Sequence, residues 1–285
     1  MNGNLSSDDF ILFQKYIEEQ CGISIRDDKA YLIESRLSKF LVKFSLESFE
    51  ELYQMLSQQK NKALAEDVID ALTTNETLWF REKTPWEFMT ETLLERYIQE
   101  IRQGKRFRVR IWSAACSTGQ EPYSIAMCID TYLERHGIKD ITLGHFEILA
   151  TDISSTVLQM AKRGKYDSIS MARGLDPSYR DRYFRQEGRT WALDEKIKNA
   201  VQFVQFNLQK SFSNFGKFDL VFCRYVAIYF SESFKKEIFK KISFSLVQDG
   251  ILILGNSEVF FDYKEDYDVK QYKNTVFYRV RGGKG

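Results

Sequence analysis

The chain has 285 residues, enough to bury a full core and to build two domains. Its composition, 44% apolar and 28% charged, is that of an ordinary soluble protein, and 41 Lys plus Arg against 40 Asp plus Glu gives no overall drive toward nucleic acid. No apolar run approaches the roughly 20 residues of a membrane span and the opening MNGNLSSDDF is not a signal peptide, so a cytoplasmic location without membrane insertion is expected.

Residues 1–84 read as an all-helical domain. Ser6 or Ser7 caps a first helix with Asp8 and Asp9 in its acidic first turn, and Phe10, Phe13 and Ile17 share one face before Cys21 and Gly22 end it. Asp27 or Asp28 is placed to cap a second helix, on which Lys29, Arg36, Lys39 and Lys43 follow at spacings of seven, three and four and so share one face. Spacing alone reads this stripe equally well as solvated surface or as a docking face. A third helix uses Phe49, Leu52 and Leu56, and a fourth uses Leu64, Val68 and Leu72. The polar loop TTNET then runs into Trp79, Phe80 and Arg81, where the two aromatics read as core. Residues 85–104 form a linking helix with Trp86, Met89, Leu93, Tyr97 and Ile101 on its buried side, ending at Gly104.

From 105 to 285 the pattern is α/β. In RVRIWSAACSTGQEPYSIAM (108–127), Val109, Ile111 and Trp112 make a short strand, and residues 113–119 carry no side chain larger than threonine or cysteine, so a ligand can approach the backbone. Pro122 suits the first turn of the helix that follows. A second strand at 146–150 ends in Thr151 and Asp152, an acid placed to accept from ribose hydroxyls. The turn has one glycine instead of G-x-G-x-x-G, and nothing resembles G-x-x-x-x-G-K-[ST], so no pyrophosphate cradle is present. A nucleoside without phosphates is favoured, and S-adenosylmethionine is the common cofactor of that kind. Cys21, Cys116, Cys128 and Cys223 lack C-x-x-C spacing and only two histidines exist, which predicts neither a metal site nor a disulfide framework.

Beyond Asp152 a helix from Ser154 or Ser155 stops at Arg163 and Gly164. Residues 165–204 then break the alternation: a helical piece at 177–183, with 190–193 and 201–206 as antiparallel strands, predicts an inserted small β-subdomain. The sheet resumes with a buried strand at 218–223, a helix capped by Ser231 or Ser233, a strand at 251–254 and a closing antiparallel strand at 272–280.

TTNETLWFR (73–81), SAACSTGQEPYSIAM (113–127), ATDIS (150–154), FCRYVAIYF (222–230) and GNSE (255–258) together resemble the CheR family of chemotaxis receptor methyltransferases over nearly the whole chain. The resemblance implies a Rossmann-like S-adenosylmethionine-dependent methyltransferase domain behind an N-terminal all-helical domain. It also implies an enzyme that esterifies glutamate side chains of chemoreceptors and releases S-adenosylhomocysteine, with no metal and no nucleic acid.

By motif match, Asn75, Thr77, Arg81, Ala115, Glu121, Asp152, Asn207, Leu208, Arg224 and Tyr225 are expected around the cofactor, with Arg81 and Tyr229 as the catalytic pair. Lys29, Arg36, Lys39 and Lys43 would dock against the acidic methylation region of the receptor's cytoplasmic helical bundle. The turn FRQEGRTW, with Gly188 alone, is a poor match to the family's glycine-rich loop that grips a receptor tail. Two further departures stand out: Gln120 where the family usually has glutamate, and Tyr225 where it usually has asparagine. Tyr225 admits an alternative, a catalytically degenerate S-adenosylmethionine-binding regulatory module.

Overall fold

The computed structural model describes residues 4–58, 61–258, 265–273 and 275–281. Helices α1 (Ser7–Cys21), α2 (Ala30–Phe44), α3 (Phe49–Ser57) and α4 (Lys62–Leu72) make the N-terminal domain, closed on its own core of Phe13, Ile17, Leu37, Leu52 and Val68. Ser6 and Asp9 form a reciprocal capping box on α1, and Gly22 closes that helix in the left-handed conformation. The second helix departs from expectation: Asp27–Lys29 is a 3-10 turn, and α2 begins at Ala30 with no side-chain cap.

The linking helix is α5 (Thr84–Phe88) and α6 (Leu94–Arg102), joined through one π-helical turn, Met89–Leu93. Then follow β1 (Val109–Ala114), α7 (Gln120–Arg135), β2 (Phe146–Asp152), α8 (Ser155–Arg163), β3 (Lys165–Asp167), α9 (Ser168–Ala172) and α10 (Pro177–Tyr183). Next come β4 (Phe184–Glu187), β5 (Thr190–Leu193), α11 (Glu195–Asn199), β6 (Val201–Gln205), β7 (Phe218–Cys223), α12 (Glu232–Ser245), β8 (Leu246–Ile253), β9 (Tyr267–Tyr272) and β10 (Thr275–Val280). The main sheet runs β6-β2-β1-β7-β8-β10-β9, parallel through β8 and closed by antiparallel β10 and β9. Every residue of β7 is buried, as expected for a central parallel strand covered on both faces. Strand order reverses between β1 and β7, so the crevice beyond their carboxyl ends is where such a sheet receives a ligand.

Two strand expectations are corrected. Residues 201–205 do not belong to the insert: β6 pairs in parallel with β2 at the sheet edge, and the insert is the antiparallel trio β3-β5-β4. The alternation of buried Val201 and Phe203 with exposed Gln202 reads like a hairpin strand because an edge strand has one solvated face. The closing element is also two strands, since β9 precedes β10, and its exposed Lys270 and Gln271 gave no apolar signal.

Candidate functional site

One cleft of about 930 Å³, its open mouth included, lies at the carboxyl ends of β1, β2, β6 and β7. Its first wall is made by the sheet. Ala115 (φ 58°) and Ser117 (φ 51°) hold the turn after β1 in left-handed backbone without glycine, a conformation costing about 1–2 kcal/mol per residue. Gly119 is needed as glycine: its φ is 92° and a Cβ there would stand 2.9 Å from the Ala161 methyl of α8. The Ser117 amide donates to Asp152 Oδ2 at 2.8 Å and the Ser154 amide to Oδ1 at 3.0 Å. Burial raises the Asp152 pKa, and these amides oppose the rise. Among the described residues no cation pairs with Asp152, which lines the cleft.

The second wall is imported. Residues 73–81 cross the mouth, and Cys21 and Ile23 of the helical domain join the lining. Ile23 bridges to Phe230, and the Ser24 amide donates to the Tyr229 carbonyl at 2.8 Å. The β-subdomain braces this wall from behind: Trp79 sits edge-on to Tyr166 and Phe184, its amide donates to the Arg173 carbonyl, and Arg173 pairs with Glu76.

Arg224 joins the walls. Its side chain is 1% exposed and donates to Glu121 Oε2 at 3.0 Å, Glu82 Oε2 at 2.7 Å and the Arg81 carbonyl at 2.5 Å. Burial lowers its pKa, but Glu121 and Glu82 outweigh that and hold it above the ordinary value. Glu121 also accepts from Ser113 Oγ at 2.7 Å. Glu82 further accepts from the Tyr225 hydroxyl and from the Asn256 amide at 3.1 Å. Tyr225 has φ 58°, and its amide donates to Glu258 Oε2 at 2.5 Å. Glu258, whose pKa burial raises against the pull of backbone amides, also accepts from Gly255 and Ile228.

Asn75, Thr77, Arg81, Ala115, Glu121, Asp152, Asn207, Leu208, Arg224, Tyr225 and Tyr229, expected from separate motifs, all line this one cleft. Two of them are also engaged by protein partners. The Asn207 amide group donates to the Gln20 carbonyl at 2.7 Å and accepts from the Gln209 amide at 2.9 Å, so it ties α1 to the loop after β6. Arg224 is engaged by two carboxylates and a carbonyl, which makes it a brace. In the basic stripe Arg36 turns inward, donating to the Leu72 and Thr73 carbonyls at 2.6 and 3.2 Å and to Thr74 Oγ1 at 3.2 Å. It satisfies the carboxyl end of α4 and leaves the expected docking face to Lys29, Lys39 and Lys43, the last paired with Asp67. Sequence reading assigned no role to Glu82 or Glu258. Glu258 lay inside the GNSE motif, and Glu82 directly follows Arg81, which is the only signal either gave.

Of the lining acids, Glu76 is paired with Arg173 and Glu121 with Arg224, which leaves Asp152 as the lining carboxylate with no cation partner among the described residues. An unpaired buried carboxylate at a strand end suits a hydroxyl donor and disfavours a phosphate beside it. No group of three or more His, Cys, Asp or Glu suited to a metal ion occurs among the described residues, and the four cysteines are free and buried.

A sheet of this order, with a small-residue turn after β1 and an acid ending β2, defines a Rossmann-like S-adenosylmethionine-dependent methyltransferase domain. The family model for the CheR methyltransferase, SAM binding domain, matches residues 75–276, and that for the CheR methyltransferase, all-alpha domain, matches residues 8–73. The chain belongs to the CheR methyltransferase family. It is 42% identical to the chemotaxis protein methyltransferase Cher2 of Pseudomonas putida, over 98% of this chain and 99% of that protein. It is 42% identical to chemotaxis protein methyltransferase 1 of Pseudomonas aeruginosa, over 96% and 98% of the two chains. The corresponding protein 1 of Vibrio cholerae is 37% identical over 97% and 98%.

Proposed function

We propose that the protein methylates glutamate side chains in the cytoplasmic helical bundle of chemoreceptors, giving glutamate methyl esters and S-adenosylhomocysteine. The observation that carries this reading is the lining of the cleft, in which no histidine or lysine occurs among the described residues to act as a base. A glutamate acceptor, with an ordinary pKa of about 4.3, is ionised at neutral pH and needs none. S-adenosylmethionine supplies a methyl already activated on sulfur. The protein's task is to align donor and acceptor and to exclude water.

Asp152 accepts from the ribose hydroxyls with the lone pairs its two amides leave free, and Glu121 faces the methionine ammonium. The left-handed backbone at Ala115 and Ser117 lets the turn lie close to the cofactor, and Leu208 flanks the base. Asn75 and Thr77 close the open side. Arg81 offers in-plane donors to a carboxylate, and the Tyr229 hydroxyl, which makes no hydrogen bond to a described residue, orients the transferred methyl. Lys29, Lys39 and Lys43 meet the acidic receptor surface. Among the described residues no helix is long and apolar enough to cross a membrane. No observation favours a degenerate module, since the Tyr225 ring forms part of the cleft wall.

Incubation with tritiated S-adenosylmethionine and receptor cytoplasmic fragments tests the reading. Label should enter the fragments as base-labile ester, released as methanol in alkali. Base-stable label, or none on any fragment, would overturn it.

A further inference from the structure

The backbone at position 225 is left-handed, where asparagine is at ease and tyrosine is not. A strained residue at the edge of a site is kept in place by its surroundings, and here three contacts hold it. Its amide is fixed by Glu258, its hydroxyl by Glu82, and its ring lies so close to Gly255 that a Cβ there would sit 2.9 Å from ring carbons Cε2 and Cζ. The phenolic end of the ring is therefore held twice, by the Gly255 backbone beside Cε2 and Cζ and by the Glu82 carboxylate on the hydroxyl, while the Glu258 bond fixes the backbone end of the residue. On its free face lies the Arg81 guanidinium, with the central carbon 3.4 Å from the ring centroid.

At that separation a tilted guanidinium would drive a nitrogen into the ring, so the two planes lie close to parallel. A guanidinium lying flat on an aromatic ring has one face covered, and its donors point outward in its own plane, the arrangement that grips a carboxylate with two parallel hydrogen bonds. Among the described residues the Arg81 side chain makes a single long hydrogen bond, 3.5 Å from Nη1 to the Glu76 carbonyl, so its other donors are free. Glu82 completes the device, because the same carboxylate that anchors the Tyr225 hydroxyl also pairs with Arg224 and accepts from Asn256.

We infer that Tyr225, anchored by Glu82, is a positioning residue that holds the Arg81 guanidinium edge-on to the acceptor carboxylate and so sets productive alignment of the glutamate. Tyr225 thus acts on the acceptor through Arg81, and the cofactor contacts made by Asp152 and Glu121 do not depend on its ring. The inference rests on the reading that a glutamate carboxylate is the acceptor.

The test uses the full-length enzyme with a receptor cytoplasmic fragment and the variants Tyr225→Asn, Tyr225→Phe, Arg81→Lys and Tyr225→Asn/Arg81→Lys. Tyr225→Asn relieves the backbone and removes the platform: kcat/KM for the fragment should fall about tenfold, while calorimetric affinity for S-adenosylhomocysteine stays within about threefold of wild type. Tyr225→Phe keeps the ring under Arg81 but releases its Glu82 anchor, so its loss should be intermediate between wild type and Tyr225→Asn. Arg81→Lys, which has no planar fork to orient, should lose at least as much, and adding Tyr225→Asn to it should cost little more. Undiminished turnover in Tyr225→Asn, equal losses in Tyr225→Asn and Tyr225→Phe, or fully additive losses in the double variant would each overturn the inference while leaving the proposed reaction standing. A wild-type enzyme that fails to methylate any receptor fragment would overturn the proposed reaction and this inference with it.

Discussion

The wall of the cleft made by strand ends and the wall made by residues 73–82 with the loops after β7 and β8 are held by different means. In the first, the partners are local to the sheet: Asp152 is fixed by the amide two residues ahead and by the turn after the neighbouring strand. In the second, the bonds join Arg224 and Tyr225 to Glu82 across 142 and 143 positions, against 35 for the longer of the Asp152 bonds, so they are favoured only once the domain has closed. The difference teaches where each task sits. In the proposed reaction the locally fixed wall would hold the cofactor, common to every cycle, and the assembled wall would face the acceptor.

The sharpest way to break that division is to remove the residue that spans both walls. Arg224→Met leaves Glu82 and Glu121 without their buried cation, and loss of one partner from such a pair costs on the order of 3–5 kcal/mol. Urea unfolding should show a loss of that size, and cofactor affinity should fall with it because Glu121 loses its tether. Stability within 1 kcal/mol of wild type would mean that the two walls stand independently.

Asp152→Ala acts on the local wall alone. A hydrogen bond to a charged group contributes about 1.5–3 kcal/mol, so calorimetry should show S-adenosylhomocysteine binding weakened by ten- to a hundredfold or slightly more. The same group gives a pH signature. Ribose hydroxyls need the ionised carboxylate as acceptor, and burial has raised the Asp152 pKa. Affinity should therefore fall as pH is lowered, beginning above the pH at which an exposed aspartate would titrate, and the dependence should vanish in the alanine variant. A flat wild-type profile from pH 7 down to 4 would remove Asp152 from the ribose site.

These two walls also mark what the sequence made legible. The parallel sheet, the turn after β1 and Asp152 could be read because each is written within a few residues: apolar runs, small side chains and an acid at a strand end. The motif match carried Arg81, Arg224 and Tyr229 to the cleft, but it could not say that Arg224 would be enclosed by carboxylates or that Glu82 would bind three groups. Those facts depend on which loops meet. The same holds for Asn207 and Arg36, whose side chains end on carbonyls distant in sequence. The edge strands β6 and β9 were misread or missed for a related reason, because a half-solvated strand has the pattern of a hairpin arm and a polar one has hardly any pattern.

Asn207→Ala sharpens the comparison at the seam between domains. It removes the bond to the Gln20 carbonyl and should cost about 0.5–1.5 kcal/mol in unfolding free energy, with a smaller effect on cofactor affinity than Asp152→Ala. An affinity loss matching that of Asp152→Ala would show instead that Asn207 contacts the nucleoside.

The smallest effect is expected on the outer face of α2, where the basic stripe divides into exposed and inward members. Lys39 and Lys43 are exposed, and a rim charge acts chiefly on encounter with the partner, at under about 1 kcal/mol per residue. Lys39→Glu with Lys43→Glu should slow receptor methylation at low ionic strength and leave S-adenosylhomocysteine affinity unchanged. The deficit should shrink as salt rises, because exposed charges are screened over about 8 Å at physiological ionic strength. Arg36→Glu is the control that separates docking from folding. Its guanidinium holds the last carbonyls of α4 and the start of the 73–81 segment, so this change should lower stability and cofactor affinity at every salt concentration. If the lysine pair and Arg36→Glu give the same salt-independent loss, the stripe serves only to hold the helical domain together. If the lysine pair alone is salt-sensitive, the stripe divides between the receptor and the fold.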